Sequence, residues 1–236
     1  MIKTLLHSVV NYVFPYRCSS CLELTDQKDG VCASCFQKLN FITAPYCELC
    51  GIPFEFQTQE KMICAKCIAE PPECEISRSL FKFDAASKKL IHAFKYNDHT
   101  NYAKMFARLF VMRYKAEMED VDLIVPVPMY RFKRVLRHYN SAQIFALEIA
   151  RLLHKPMVPE LLIKQKWTRA QTGLSRTGRQ KNLTGSIHVG DKMRALDKVI
   201  LLVDDVKTTG ATSTLCSKIL KNAGAKSVKL ATISLT

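Results

Sequence analysis

No stretch of this 236-residue chain approaches the ~20 consecutive apolar residues that cross a bilayer as a helix, so a helical membrane span is excluded. Residues 1–14 carry apolar Ile2, Leu5, Leu6, Val9, Val10, Val13 and Phe14, interrupted by Lys3, His7 and Asn11. No small-residue cleavage site follows them, which argues against an export signal and for a docked amphipathic helix. Its polar face bears little charge, which leaves a helix lying on a membrane surface as the lesser alternative. Without an export signal, the ten cysteines do not read as a disulfide framework. The expected compartment is the cytoplasm, with a peripheral position at the inner membrane as the alternative.

Acidic residues are scarce in one region. Between Met129 and Lys181 there are 12 Lys/Arg against only Glu148 and Glu160, so +10 of the chain's net charge of +14 lies there. Residues 1–74 differ, with 6 basic and 8 acidic side chains. A field as dense as that of the middle region attracts polyanions. The rest of the composition is ordinary: 48% hydrophobic and 24% charged, enough for a sizeable core.

Eight of the cysteines form four Cys-x-x-Cys pairs: Cys18/Cys21, Cys32/Cys35, Cys47/Cys50 and Cys64/Cys67. Each pair can make a knuckle that aims two thiolates at one point, and two knuckles complete a tetrahedral zinc site closed to water. Two structural Zn2+ are expected. Sequential pairing gives two short ribbons, and interleaved pairing is compatible with the same spacing. Cys74 and Cys216 stand outside the pattern as incidental thiols. So short a module buries little apolar surface, so metal supplies much of its folding free energy. Its acidic balance suits a structural or partner-docking role. Pro71-Pro72 marks a boundary between a region 1–74, comprising helix and zinc module, and a second domain, 75–236.

The second domain is organised around Val199-Ile-Leu-Leu-Val-Asp204-Asp205-Val-Lys207-Thr208-Thr209-Gly210-Ala211-Thr212. Five apolar β-formers read as a strand buried on both faces, ending at two carboxylates. A hydroxyl-rich turn and a helix-compatible run from Ser213 follow. In open α/β sheets, ligands collect beyond the carboxyl ends of strands, where loop amides and a helix N-terminus face an anion. Here a phosphate cup would adjoin two acceptors for sugar hydroxyls, which suits a ribose 5-phosphate. The ordered string resembles the phosphoribosyl pyrophosphate (PRPP) signature of type I phosphoribosyltransferases.

Along the domain, Leu80–Phe83 and Val121–Val125 read as strands, and Ser87–Tyr96, Tyr102–Met118 and Ser141–Leu153 as helices. Leu161–Lys164 and Ser186–Val189 are shorter strand candidates. Such alternation argues for a parallel sheet. Between the last two lies Trp167–Gly185, rich in Arg, Thr, Gly and Gln, an irregular length that is usually functional.

Several landmarks, in order, resemble the ComF family of late-competence proteins. They are Phe14-Pro-Tyr-Arg-Cys18 leading into the Cys-x-x-Cys pairs, Phe94-Lys95-Tyr96, Pro126-Val-Pro128, Arg137-x-Tyr139-Asn140, Arg169-Ala-Gln171 through Gly185, and the PRPP signature. The sequence departs from that family where His138 replaces a common glycine and Ser141 a common glutamine, and at Lys207, a variable and often apolar place. The resemblance implies an α/β, phosphoribosyltransferase-type open, mainly parallel sheet flanked by helices, with a small N-terminal double zinc-ribbon module. It also implies a role in handling imported single-stranded DNA during transformation.

On these grounds Lys207, Thr208, Thr209, Gly210, Ala211 and Thr212 are expected to hold the 5-phosphate of PRPP or ribose 5-phosphate. Asp204 and Asp205 would hold the ribose hydroxyls, together with Mg2+. Lys95, Arg137, Arg169 and Arg179 would meet the pyrophosphate. Arg131, Lys133, Arg134 and Arg137 are the candidates for single-stranded DNA, and the zinc module is the candidate docking surface for other DNA-uptake proteins. No segment announces a nucleobase pocket. The competing expectation is a catalytically active phosphoribosyltransferase of nucleotide metabolism or salvage.

Overall fold

Val199 to Val203 are all buried, and around them the sheet is built. The computed structural model describes residues 16–18, 20–25, 30–56, 60–96, 100–130, 139–165 and 185–236. Six strands lie in these segments: β1 (Ser77–Lys82), β2 (Leu123–Pro126), β3 (Leu162–Lys164), β4 (Ile187–Val189), β5 (Val199–Lys207) and β6 (Ser227–Leu235). The helices are α1 (Ala33–Gln37), α2 (Ala65–Ala69), α3 (Ala85–Tyr96), α4 (Tyr102–Tyr114), α5 (Ser141–Leu153) and α6 (Ala211–Asn222).

The main sheet has the order β1-β6-β5-β2 with every neighbouring pair parallel, and β3 and β4 form a separate antiparallel pair. This is the α/β, mainly parallel architecture expected from the alternation of elements. Side chains of a strand point alternately to its two faces. Val199, Leu201 and Val203 therefore face one core, with Phe106 and Phe110 of α4 and Phe145 and Ile149 of α5. Ile200 and Leu202 face the other, with Leu162 of β3, Ile187 of β4 and Cys216 and Leu220 of α6. Both faces are apolar because both are covered. The edge-on meeting of Phe110 and Phe145, with centroids 6.1 Å apart, fixes how α4 and α5 cross the first face.

Several elements differ from the sequence expectation. β5 continues through the carboxylates to Lys207, because β6 runs far enough to pair Val206 with Ser234 and Lys207 with Leu235. β1 begins at Ser77, three residues before its apolar run, since Ser77, Arg78 and Ser79 are buried with partners. The helix expected over Tyr102–Met118 is α-helical to Tyr114 and ends in a 3-10 turn, Lys115–Met118. The expected helix over residues 1–14 lies outside the described residues, and among those described no helix is long and apolar enough to cross a membrane.

The cysteine-rich region covers the outer edge of β1. The Lys82 amide donates to the Asn40 carbonyl and the Ile42 amide to the Leu80 carbonyl, with Phe41 bridging antiparallel to Phe81. A bare strand edge invites pairing with another chain, and this segment satisfies it internally. The contact is also aromatic: Phe36, Phe41, Phe81 and Phe106 form a continuous series of ring contacts from the ribbon into the core.

Candidate functional site: two sulfur clusters and the end of strand β5

The eight paired cysteines gather into two clusters, Cys18/Cys21/Cys32/Cys35 and Cys47/Cys50/Cys64/Cys67, with sulfurs in each within 4.8 Å of one another. Pairing is therefore sequential. Four sulfurs around a zinc at ~2.3 Å stand ~3.8 Å apart along the edges of the tetrahedron. Cys21 and Cys32 are 3.7 Å apart at sulfur, as are Cys50 and Cys64, so both clusters have the size of a zinc site with four thiolate ligands. The clusters repeat one device: the Cys32 amide donates to the Cys18 sulfur and the Cys64 amide to the Cys47 sulfur, each at 3.3 Å. Burial of Cys47 works against its thiolate, but the amides of Cys50, Cys64 and Leu49 donate to the sulfur and bring the thiol down to about 7. Both clusters fit structural Zn2+. Cys74 and Cys216 are buried in the core on the α6 face and belong to neither cluster.

At the carboxyl end of β5 the two aspartates separate, as strand alternation requires. Asp205 faces α3 and α5: Lys95 in the last turn of α3 lies 2.9 Å from its Oδ1, and the Ser141 hydroxyl donates to Oδ2 at 2.6 Å. Asp204 turns toward β3 and α6, where it feels the charge of Lys164 and acts on the buried Cys216 thiol. Burial pushes the Asp204 carboxyl up to about 7, aided by the Asp205 charge, while the Asp205 amide, Lys95 and Lys164 work in the opposite direction. That amide donates to Asp204 Oδ1 at 2.8 Å.

Three successive residues hold this arrangement. The Tyr139 hydroxyl donates to the Phe94 carbonyl, pinning the end of the helix that carries Lys95. Asn140 caps α5 by accepting from the Ala142 amide, and its own amide group donates to the Val127 carbonyl beyond β2. Ser141 then reaches Asp205. Ser141 thus supplies a hydroxyl to the carboxylate, a contact the sequence alone did not signal.

Beyond β5, Thr208 and Thr209 are exposed and Gly210 takes φ 75°, a left-handed turn that leads into α6. No side chain caps α6 and no acidic residue occupies its first turn, so the positive end of its dipole stays open to an anion. Lys207 is oriented differently: its ammonium donates to the Cys50 carbonyl at 3.1 Å and to the Ser77 hydroxyl at 2.9 Å. A cavity of about 260 Å³ lies between this loop and the second cysteine cluster, lined by Lys207, Thr208, Thr209 and Gly210 on one side and Cys50 and Lys66 on the other. A second cavity, about 390 Å³, opens past β2 among Pro126, Pro128, Asn140, Gln143, Lys164 and Gln165. Arg131, Lys133, Arg134, Arg137, Arg169 and Arg179 lie outside the described residues.

Residues 9–68 match the double zinc ribbon domain family. Competence protein F of Haemophilus influenzae is 27% identical over 92% of this chain and 96% of that protein. DNA utilization protein YhgH of Escherichia coli is 24% identical over 85% of this chain and 88% of its own length. Competence protein ComFC of Bacillus subtilis is 25% identical, covering 86% of this chain and 82% of that one. The chain is a homologue of these proteins over most of its length. Among solved structures, the allosteric regulatory enzyme of purine biosynthesis shares 17% identity at a TM-score of 0.43, over 60% of this chain and 30% of that chain. A purine phosphoribosyltransferase from Pyrococcus horikoshii shares 19% identity at a TM-score of 0.35, over 57% of this chain and 71% of that one.

Proposed function

We propose that this protein binds PRPP at the loop following β5 and serves natural competence by handling imported single-stranded DNA. The carrying observation is the ion pair of Lys95 with Asp205 beside an uncapped, acid-free helix N-terminus, all at the carboxyl end of one parallel strand. The names of the relatives, which concern competence and DNA utilization, support the cellular role.

On this proposal Thr208, Thr209, Gly210, Ala211 and Thr212 enclose the 5-phosphate with amides and hydroxyls. The carboxylates divide the remaining work. Asp204, on the opposite side of the strand from the Lys95–Asp205 pair, takes ribose hydroxyls, and it is the carboxylate available to Mg2+ bound with the pyrophosphate. Asp205 fixes Lys95 where negative charge would develop on the leaving pyrophosphate. Arg137, Arg169 and Arg179, which lie outside the described residues, are the further cations proposed for the pyrophosphate. Bound Mg2+ would neutralise part of that charge. If turnover occurs, pyrophosphate leaves C1 of the ribose through an oxocarbenium-like state, which requires positioning and charge stabilisation rather than a protein nucleophile. The zinc ribbons, more acidic than the rest of the chain, offer a docking surface for other DNA-uptake proteins instead of a surface for DNA.

Oligonucleotide binding followed by fluorescence anisotropy tests the DNA arm. If about 4–6 phosphates are neutralised, log K should fall against log salt with a slope of about −3 to −4. The quadruple Arg131/Lys133/Arg134/Arg137→Ala variant should have a shallower slope. Binding that ignores salt, or that resides in residues 1–74, would defeat the proposal. Acceptor-dependent release of pyrophosphate from PRPP would instead favour an active phosphoribosyltransferase of nucleotide metabolism.

A further inference from the structure

We propose that Lys207 is a strut tying the phosphate loop to the second zinc ribbon, so that metal at Cys47, Cys50, Cys64 and Cys67 sets how firmly the loop holds a phosphorylated sugar. The ligand half of this statement rests on the PRPP site proposed above. The mechanical half rests on contacts alone.

Lys207 is the last residue of β5 and immediately precedes Thr208. Its carbonyl accepts from the Thr236 amide at 3.0 Å, so its main chain belongs to the sheet. Its side chain belongs to the ribbon, through the Cys50 carbonyl and the Ser77 hydroxyl. Cys50 is itself one of the four sulfurs of the second cluster, and the knuckle around it is pinned from both sides. The Gly51 amide donates to the Cys47 carbonyl at 2.9 Å, and the Ser77 amide donates to the Leu49 carbonyl at 2.7 Å. Gly51 lies against β1 so closely that a Cβ there would stand 2.5 Å from the Ser77 carbonyl oxygen. The acceptor of the Lys207 ammonium is therefore placed by the knuckle that would hold the metal. Electrostatics adds to this: four thiolates and one Zn2+ leave about −2 on the cluster, a counter-charge for an ammonium at its rim.

The first ribbon provides an internal control. Cys18 and Cys35 pack in the core that includes Tyr102 at the start of α4, whereas it is the second ribbon's Cys50 carbonyl that receives the Lys207 ammonium. Loss of the second metal should free the Cys50 knuckle, release the Lys207 ammonium and loosen Thr208 to Thr212. Loss of the first should not. Linkage makes the effect reciprocal: a ligand held by the loop must slow zinc loss from the second site.

Hydrogen exchange of the full-length protein, with zinc counted by native mass spectrometry, tests the strut. Lys207→Met should retain two zinc ions yet raise amide exchange over 208–212 about tenfold or more, within the usual range of coupling between sites. Cys64→Ser should raise it likewise, and Cys32→Ser should leave those amides at their wild-type rate. PRPP should slow chelator-driven release of one zinc of the two in wild type and of neither in Lys207→Met. Wild-type exchange over 208–212 in zinc-replete Lys207→Met overturns the strut, even if Cys64→Ser does not fold. Raised exchange without PRPP binding to any variant upholds the strut and removes the proposed ligand. Equal PRPP binding and equal protection of zinc in wild type and Lys207→Met leaves the ligand site intact and removes the strut.

Discussion

Gly51 and Gly210 share nearly the same backbone angle, φ 74° and 75°, but their surroundings make them unequal. A Cβ at Gly210 would meet nothing nearer than 3.7 Å, so Gly210→Ala should cost only the left-handed penalty of about 1–2 kcal/mol. At Gly51 the Cβ would also collide with the Ser77 backbone, and Gly51→Ala should cost distinctly more, seen as the larger fall in melting temperature. Asp204 carries a pH signature. Its folded carboxyl sits at about 7 against an unfolded value of 3.8, so across that window the folded state keeps a proton that the unfolded chain releases. Stability contributed by this group is complete below about pH 4 and declines as pH rises through about 7. Asp204→Asn should abolish the decline, matching wild type near pH 4 and exceeding it above pH 7 in thermal melts. Taking the difference between the two proteins cancels any acid loss of zinc common to both. The aspartates themselves were plain in the sequence as a pair. Their partners were not, because Ser141 and Lys95 reach Asp205 only through the packing of α5 and α3 against the sheet, and local sequence carries no trace of that.

Among the elements, those with continuous apolar runs or strong helical stripes were legible, as β5's first five residues and α5 show. β6 was not, because its Ser227-Val-Lys-Leu-Ala-Thr-Ile-Ser-Leu235 sequence mixes polar and apolar residues although all but Ser227 are buried. Two of its buried polar side chains find partners inside the fold: Lys229 reaches Asp120 and the Glu117 carbonyl, and Thr232 contacts the Ser79 hydroxyl, whereas the Ser234 hydroxyl is buried without a hydrogen-bond partner among the described residues. The start of β1 was hidden in the same way. Arg78, 2% exposed, lies 2.5 Å from Glu117 and donates to the Glu48 carbonyl at the second ribbon. Arg78→Ala would leave these acceptors without their cation. Removing one partner of a buried pair costs about 3–5 kcal/mol; Glu117 is 31% exposed, so the loss in a denaturant titration should fall toward the lower end. The local pattern of β1 and β6 does not suffice because Arg78, Ser79, Lys229 and Thr232 find their partners far away in the chain.

For the molecule as a whole, the cysteine spacing pointed to two metal sites but not to which knuckles share a metal; the fold gathers them as two sequential clusters, each fit for one Zn2+. Native mass spectrometry should find two zinc ions per chain. Cys32→Ser should lower that number and solubility, whereas Cys74→Ser should change neither, since Cys74 is a core thiol. The charge asymmetry, with its basic excess beyond residue 74, is a property of the whole chain and was fully visible in the sequence. The central claim concerns the loop beyond β5, and calorimetric titration with PRPP and Mg2+ tests it most directly. The wild-type protein should bind PRPP, and the Asp204→Ala/Asp205→Ala variant should bind it about tenfold or more weakly, a loss on the order of one or two hydrogen bonds to charged groups, while inorganic phosphate is weakened less. Equal PRPP affinity in the two proteins, each with both zinc ions in place, would contradict a sugar-phosphate site at this loop.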